Sequence, residues 1–262
     1  CTYLPRYDVI PKNSLLYTKF MVLNELNNLT LDGKSVEVSL KQDIYRDLFL
    51  KRSRVTGNVL RDYLATRGIT FETIGGFDRD FKASLKPWRE LAEFDLSEDD
   101  KEEIVLAVTI FGDDKKLLKK RLKGRFGDRL TEDELKKLAK LKYSGWSRLS
   151  KEFLTDVTAA YKPTGEVMNI ITAMWETNLN LMQILYSDVF ACDGDEKKTF
   201  EKKIAEMNSF GEKKSLREMV EELYVSPKVK RPIYQSLLII KELEKIMKHP
   251  PKKIFIEVAR GA

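Results

Sequence analysis

SLLYTKFMVLNELN, residues 14–27, decides the fold class, because its apolar side chains recur at helical spacing. Leu15, Phe20 and Leu23 fall near one face of a helix, and the serine that opens the stretch is a typical helix cap. The same kind of pattern covers residues 38–51, 56–66, 97–110, 131–141, 165–187, 195–207 and 215–224. We therefore predict a mainly α-helical body with minor β structure, including a short strand at residues 69–74.

The end of the chain has a different pattern. Pro232 suits the first turn of a helix that runs to about Lys248. Residues 253–260, KIFIEVAR, then read as a strand with apolar side chains on both faces, which is typical of a strand inside a covered sheet. We predict a helical domain over residues 1–225, followed by a connecting helix and one strand over residues 226–262.

Composition limits the possible functions. The 262 residues include 47 Lys and Arg against 41 Asp and Glu, a net charge of +6. This excess fits a polyanionic partner, and it equally fits a lysine-rich helical protein without one. One histidine and two cysteines exclude two-histidine metal motifs and a disulfide framework. No signal-like or membrane-spanning apolar run occurs, so we expect a reduced cytoplasmic setting and, from the start at Cys1, a piece of a longer protein.

Glu257 is the sharpest candidate for chemistry, because it is the one acidic residue within the predicted strand at residues 254–259. A buried carboxylate is costly unless it is paired or binds a cation. It is therefore either a metal ligand of a nuclease core or a solvent-facing residue of an edge strand. Since a two-metal site needs several carboxylates, we expect this chain by itself to be inactive as a nuclease.

Two further segments could contact nucleic acid. Residues 115–125 crowd seven Lys and Arg, which suits phosphate contact or a solvated lysine-rich face. In the turn at residues 143–150, Arg148 could grip a phosphate with two hydrogen bonds. We expect its neighbour Trp146 to be a core anchor, since tryptophans are mostly buried.

A third segment, residues 178–187, carries short neutral polar side chains. As one continuous helix it would place Asn180, Gln183 and Ser187 in one narrow sector. Such side chains contact a sugar-phosphate backbone without reading its sequence. The alternative is an ordinary solvent-exposed face.

In chain order, several stretches resemble one family. They are CTYLP (1–5), IPKNSLLY (10–17), NEL (24–26), GFDRDFKASL (76–85), YSGWSRLS (143–150), LMQ (181–183), SP (226–227) and IFIEVAR (254–260). Together they resemble the type II CRISPR RNA-guided DNA endonucleases, from the distal helical recognition domain to the start of the second RuvC segment. The resemblance covers essentially the whole chain.

The resemblance implies a role in CRISPR adaptive immunity. A guide RNA (crRNA with tracrRNA) pairs with target DNA, and this piece would bind the heteroduplex through its backbone, far from the protospacer-adjacent motif, and help to license cleavage. Further expected partners are other domains of the same chain and, as candidates, anti-CRISPR proteins; no membrane is expected, and the setting would be the bacterial cytoplasm. The residues expected to face the heteroduplex are Lys12, Tyr17, Arg148, Asn180, Gln183 and Tyr186, with Met182 beside them.

The resemblance also assigns Glu257 to a RuvC carboxylate that binds Mg²⁺ in the parent nuclease, with no cofactor expected in this piece alone. The chain departs from the family pattern at three places. Tyr186 stands where some relatives have His, Leu179 where some have Arg, and residues 261–262 where many have an acidic or amide residue. Two rival hypotheses are a helical protein-interaction scaffold without nucleic acid and a complete small nuclease.

Overall fold

The computed structural model describes residues 1–209, 216–221, 223, 225, 227–249, 251 and 253. The chain divides into two compact units, Cys1–Gly211 and Glu212–Ala262. The predicted domain boundary between residues 225 and 226 stays a prediction. Glu257 and the predicted strand at residues 254–260 lie outside the described residues.

The first unit is mainly α-helical, which confirms the predicted fold class. Its helices are α1 (Leu15–Leu26), α2 (Val38–Ile44), α3 (Gly57–Thr66), α4 (Lys86–Glu90), α5 (Glu98–Phe111), α6 (Lys115–Phe126), α7 (Glu132–Leu138), α8 (Lys151–Thr155), α9 (Ile170–Glu176), α10 (Leu181–Tyr186) and α11 (Phe200–Ser209). A π-helical turn, Tyr45–Phe49, continues α2. Ser14 caps α1 as predicted, because its Oγ accepts the Tyr17 N–H at 3.1 Å.

Two small antiparallel sheets provide the minor β structure. Their strands are β1 (Thr30–Leu31), β2 (Lys34–Ser35), β3 (Ile74–Gly75), β4 (Thr158–Tyr161), β5 (Val167–Asn169) and β6 (Phe190–Ala191). The orders are β2-β1-β3 and β5-β4-β6, with Thr30 opposite Gly75 and Ala160 opposite Ala191. The short strand predicted at residues 69–74 is thus reduced to β3.

The prediction of one continuous helix over residues 165–187 is wrong. Asn169 ends β5 and caps α9 by accepting the Thr172 N–H at 2.9 Å. Thr177 then adopts an extended backbone with φ −128° and ψ 170°, and α10 starts only at Leu181. Two local caps therefore divide a segment whose apolar pattern alone resembles one helix.

The first unit contains two groups of buried side chains. The larger one joins α1, α2, α3, α9, α10 and α11 through residues such as Leu23, Leu60 and Ile184. The second forms the core of α5, α6 and α7, which we call the α5–α7 bundle, and includes Val108 and Leu122. Glu102 of α5 attaches this bundle to the start of α1, accepting hydrogen bonds from Ser14 Oγ (2.9 Å) and the Leu16 N–H (2.8 Å).

The second unit contains α12 (Leu216–Glu221) and α13 (Pro227–Met247). An ion pair joins Lys230 to Glu221 at 3.8 Å. α13 begins at Pro227, so Pro232 lies inside the helix rather than in its first turn. The predicted start is therefore too late, because Pro227 itself occupies the first helical position, where a missing N–H costs nothing. Among the described residues, no helix is long and apolar enough to cross a membrane.

Candidate nucleic-acid interface

The first twelve residues hold in place the turn at residues 143–150, which we call the Trp146 turn. They run alongside residues 145–149 and exchange backbone hydrogen bonds with them, so each segment satisfies the other's polar groups. The pairs are Thr2 N–H to Arg148 O (2.8 Å), Ile10 N–H to Leu149 O (3.0 Å), Ser147 N–H to Ile10 O (2.9 Å) and Lys12 N–H to Gly145 O (3.0 Å). This pairing fixes the direction of every side chain in the turn.

Trp146 and Arg148 are both exposed, whereas the residues that alternate with them are buried. Successive side chains of extended backbone point to opposite sides, and the alternate residues Ser147 and Leu149 are buried at 7% and 5% exposure. Trp146 is 37% exposed. The expectation that Trp146 is a core anchor is therefore wrong: its backbone pairs with Pro11, and its side chain belongs to neither group of buried side chains.

Arg148 lies beside Tyr17, the first aromatic residue of α1. Burial raises the pKa of Tyr17, and the nearby Arg148 guanidinium opposes that rise. Arg148 is exposed, and within the described part of the chain no carboxylate forms an ion pair with it. Its donors are thus available to an external anion. Lys12, also exposed, lies against Gly145, whose φ of +82° suits a glycine.

Asn180 and Gln183 form the cap of α10. Asn180 Oδ1 accepts the Gln183 N–H and Gln183 Oε1 accepts the Asn180 N–H, each at 2.9 Å. This reciprocal capping box satisfies two N–H groups that the helix leaves unpaired. The prediction that Asn180 shares a helical sector with Gln183 and Ser187 is wrong, because Asn180 precedes the helix. The exposed Gln183 side chain keeps its amide N–H groups for other partners.

Three side chains extend the surface beyond this cap. Met182 and Tyr186 are 55% and 56% exposed on α10. The Tyr3 hydroxyl donates to Met182 Sδ at 3.9 Å, and the Tyr3 ring stacks on Phe153 with centroids 4.6 Å apart. Burial raises the pKa of Tyr3, and nearby Tyr186 adds to that rise. Tyr3 therefore connects α10 to the N-terminal segment that holds Arg148.

One side of α1 joins the two ends of this surface. Tyr17 and Asn24 are seven residues apart, two helical turns or about 10 Å of rise. Asn24 Oδ1 accepts the Leu181 N–H at 3.1 Å, and Asn28 Oδ1 accepts from Asn180 Nδ2 at 2.8 Å. Sequence reasoning missed both asparagines, although their spacing from Tyr17 marks one helix face. We call the surface the candidate interface; it comprises Lys12, Tyr17, Trp146, Arg148, Asn180, Met182, Gln183 and Tyr186.

Comparison with known proteins identifies relatives of this chain. A family model described as the REC lobe of CRISPR-associated endonuclease Cas9 matches residues 1–206. The chain is 33% identical over 276 residues to the CRISPR-associated endonuclease Cas9 of Streptococcus mutans, covering 98% of this chain and 20% of that protein. It is 30% identical over 274 residues to that of Listeria innocua, covering 99% and 20% respectively. The chain thus spans about a fifth of the length of these curated relatives.

Proposed function

Because the chain belongs to the family of the REC lobe of CRISPR-associated endonuclease Cas9, we propose that it is the heteroduplex-binding part of an RNA-guided DNA endonuclease. It binds the guide RNA–target DNA heteroduplex through its backbone, distal to the protospacer-adjacent motif, and helps to license cleavage. The observation that carries this proposal is the exposure of both Trp146 and Arg148 in one turn, with Arg148 beside Tyr17 and without an ion-pair partner in the described residues.

The chemistry of the candidate interface suits a duplex recognised by shape. Arg148 can offer two parallel donors to one phosphate, while the amide of Gln183 and the hydroxyls of Tyr17 and Tyr186 can bond to phosphate or sugar oxygens. These groups carry no base preference in such contacts. A surface of this kind suits an A-form duplex whose sequence has already been read by base pairing.

The endonuclease activity belongs to the proposal for the whole protein. There, Glu257 would be one carboxylate ligand of Mg²⁺, which would stabilise the charge on the scissile phosphate. Its position lies outside the described residues, and the assignment follows from the family resemblance of residues 254–260. We propose that the chain alone does not cleave DNA, because one carboxylate cannot hold a two-metal centre.

Binding to the purified chain tests the proposal. Arg148→Ala should weaken heteroduplex affinity by about 10- to 100-fold, since a charge-assisted hydrogen bond contributes about 1.5–3 kcal/mol. Arg61→Ala is the matched control, because Arg61 is an exposed arginine stacked over Phe71, outside the candidate interface. Equal affinity in all three proteins, or binding that is insensitive to salt, would instead favour the protein-interaction scaffold.

Cleavage by the full-length protein tests the licensing role. Arg148→Ala should reduce cutting of mismatched targets more than cutting of matched targets, because a matched heteroduplex keeps reserve binding energy. Equal losses on both kinds of target would contradict the proposal.

A further inference from the structure

Helix α6 is strongly basic. Its twelve residues, KKLLKKRLKGRF, contain seven Lys and Arg and no acidic residue. Leu118, Leu122 and Phe126 are buried in the α5–α7 bundle. The basic side chains cover the rest of the helix and are all exposed: Lys115, Lys116, Lys119, Lys120, Arg121, Lys123 and Arg125.

Three of these seven have partners within the bundle. Arg125 Nε donates to both oxygens of Glu103 at 2.9 and 3.0 Å, and Lys123 pairs with Glu132. The guanidinium of Arg121 lies 4.5 Å from the centre of the Phe111 ring. The other four form no ion pair with any carboxylate in the described ranges. We call these four, Lys115, Lys116, Lys119 and Lys120, the lysine ridge.

The positions of the four lysine-ridge residues are unfavourable for the stability of helix α6 itself. Positive charge in the first turn of a helix opposes the helix dipole, and like charges four residues apart repel each other. The two neighbouring helices follow the favourable rule: the first turns of α5 and α7 each carry three acidic residues, whereas that of α6 has none. Asp114 caps α6 by accepting the Lys116 and Leu117 N–H groups at 3.1 and 3.0 Å, yet no ion pair within the described residues offsets the charges of the four lysines. Their unrelieved repulsion indicates a partner outside the fold.

We propose that the lysine ridge binds the phosphate backbone of a nucleic-acid duplex, as a second contact surface distinct from the candidate interface. Its four charges span five residues of rise, about 8 Å, so several phosphates of a duplex lie within reach. A protein partner fits less well, because the centres of protein interfaces are depleted of lysine. Helix α6 also offers little apolar surface to a protein partner, since Leu117, 41% exposed, is its one large apolar side chain at the surface.

The experiment compares two variants of the full chain. Each carries four Lys→Gln substitutions, so the two have the same net charge. The first replaces the lysine ridge. The control replaces Lys51, Lys82, Lys136 and Lys137, each of which is exposed and paired with a carboxylate. Affinities for unrelated DNA and RNA duplexes are measured between about 50 and 200 mM salt, and the two duplexes show whether the ridge prefers one backbone.

The ridge variant should lose duplex affinity at least about tenfold at low salt. Its log–log salt slope should fall by about 2–4, because each lost phosphate contact removes about 0.9. The control should change both quantities much less. The ridge variant should be at least as stable to heat as the original chain, because it loses repulsion within α6, and the control should be slightly less stable because it loses four exposed ion pairs. The double variant Lys116→Gln/Lys120→Gln replaces the ridge variant if that variant fails to fold.

Equal effects of the two variants, or no duplex binding by the unmodified chain, would overturn the ridge proposal. The proposed function is separable from it, because Arg148→Ala alters the candidate interface and leaves the ridge intact. If the ridge variant loses affinity for the unrelated duplexes while Arg148→Ala leaves heteroduplex affinity unchanged, the ridge proposal stands and the candidate interface is rejected.

Discussion

Gln183 has two roles at the scale of the single residue, and they can be separated. Its Oε1 accepts the Asn180 N–H at 2.9 Å, which stabilises the start of α10, while its amide N–H groups face outward from the candidate interface. A glutamate at this position would form the same capping box. It would also place a negative charge where the proposal puts a phosphate.

We therefore predict that Gln183→Glu leaves the free energy of unfolding within about 0.5 kcal/mol of the original and weakens heteroduplex binding about tenfold. Gln183→Ala should instead destabilise the fold by about 1 kcal/mol through loss of the cap. Chemical denaturation and binding measurements on both variants check this. Unchanged affinity in Gln183→Glu would show that no phosphate lies near this side chain.

Gly76 packs closely against the backbone of Asn28, a residue that supports the candidate interface. Its φ is +92°, and a Cβ at this position would overlap the carbonyl group of Asn28, the residue whose side chain receives Asn180. Gly76→Ala should therefore lower the free energy of unfolding by about 1–3 kcal/mol. Gly124→Ala in α6 is the control, since open space surrounds Gly124; it should raise stability by about 1 kcal/mol. Denaturant unfolding of both variants measures these changes in the free energy of unfolding. Similar changes in the two variants would contradict the prediction.

At the scale of elements, the link between α9 and α10 depends on buried donors from α1 and α2. Lys41 is completely buried, and its Nζ donates to Met174 O at 2.8 Å and to Thr177 O. Asn27 Nδ2 donates to Met174 O at 3.0 Å and to Leu179 O at 2.7 Å. These donors satisfy carbonyl groups at the end of α9 and in the link that follows it. They thereby hold the segment that delivers Asn180 to α1.

The buried ammonium predicts an unusual dependence of stability on pH. Burial lowers the pKa of Lys41 to about 8, below the 10.5 of an exposed lysine. Between these values the unfolded chain binds more protons than the folded one, so Lys41 makes stability rise with pH, by at most about 1.4 kcal/mol per unit. The raised pKa values of Cys192 and Tyr45 act in the opposite direction at higher pH.

Lys41→Met isolates this contribution, because the variant keeps Cys192 and every tyrosine. The difference in free energy of unfolding between the original chain and the variant should grow in favour of the original from about pH 8 to pH 9.5. Urea denaturation at about pH 7, 8 and 9.5 measures it. Parallel stability curves would show that Lys41 does not titrate in this range.

At the scale of the whole molecule, the candidate interface belongs to one of the two compact units. The contacts described for the candidate interface all lie within Cys1–Gly211, and the family model also ends within it, at residue 206. We predict that a chain ending at residue 211 unfolds cooperatively and binds the heteroduplex within about threefold of the longer chain. Calorimetry and binding measurements check this. A truncated chain that fails to fold, while the longer chain folds, would show that the second unit completes the core.

The sequence by itself determined the helical fold class, the cap at Ser14 and the family, because these depend on spacing within a few residues or on collinear motifs. Only the tertiary structure decided that Trp146 faces outward and that Asn180 ends a loop against Asn28. It also decided that Lys41 is buried. Those outcomes depend on partners that local sequence does not specify: Asn180 meets Asn28 across 152 positions, and Lys41 meets Met174 across 133. A side chain's direction and burial are set by whichever distant segment packs beside it, and periodicity along one helix contains no record of that segment.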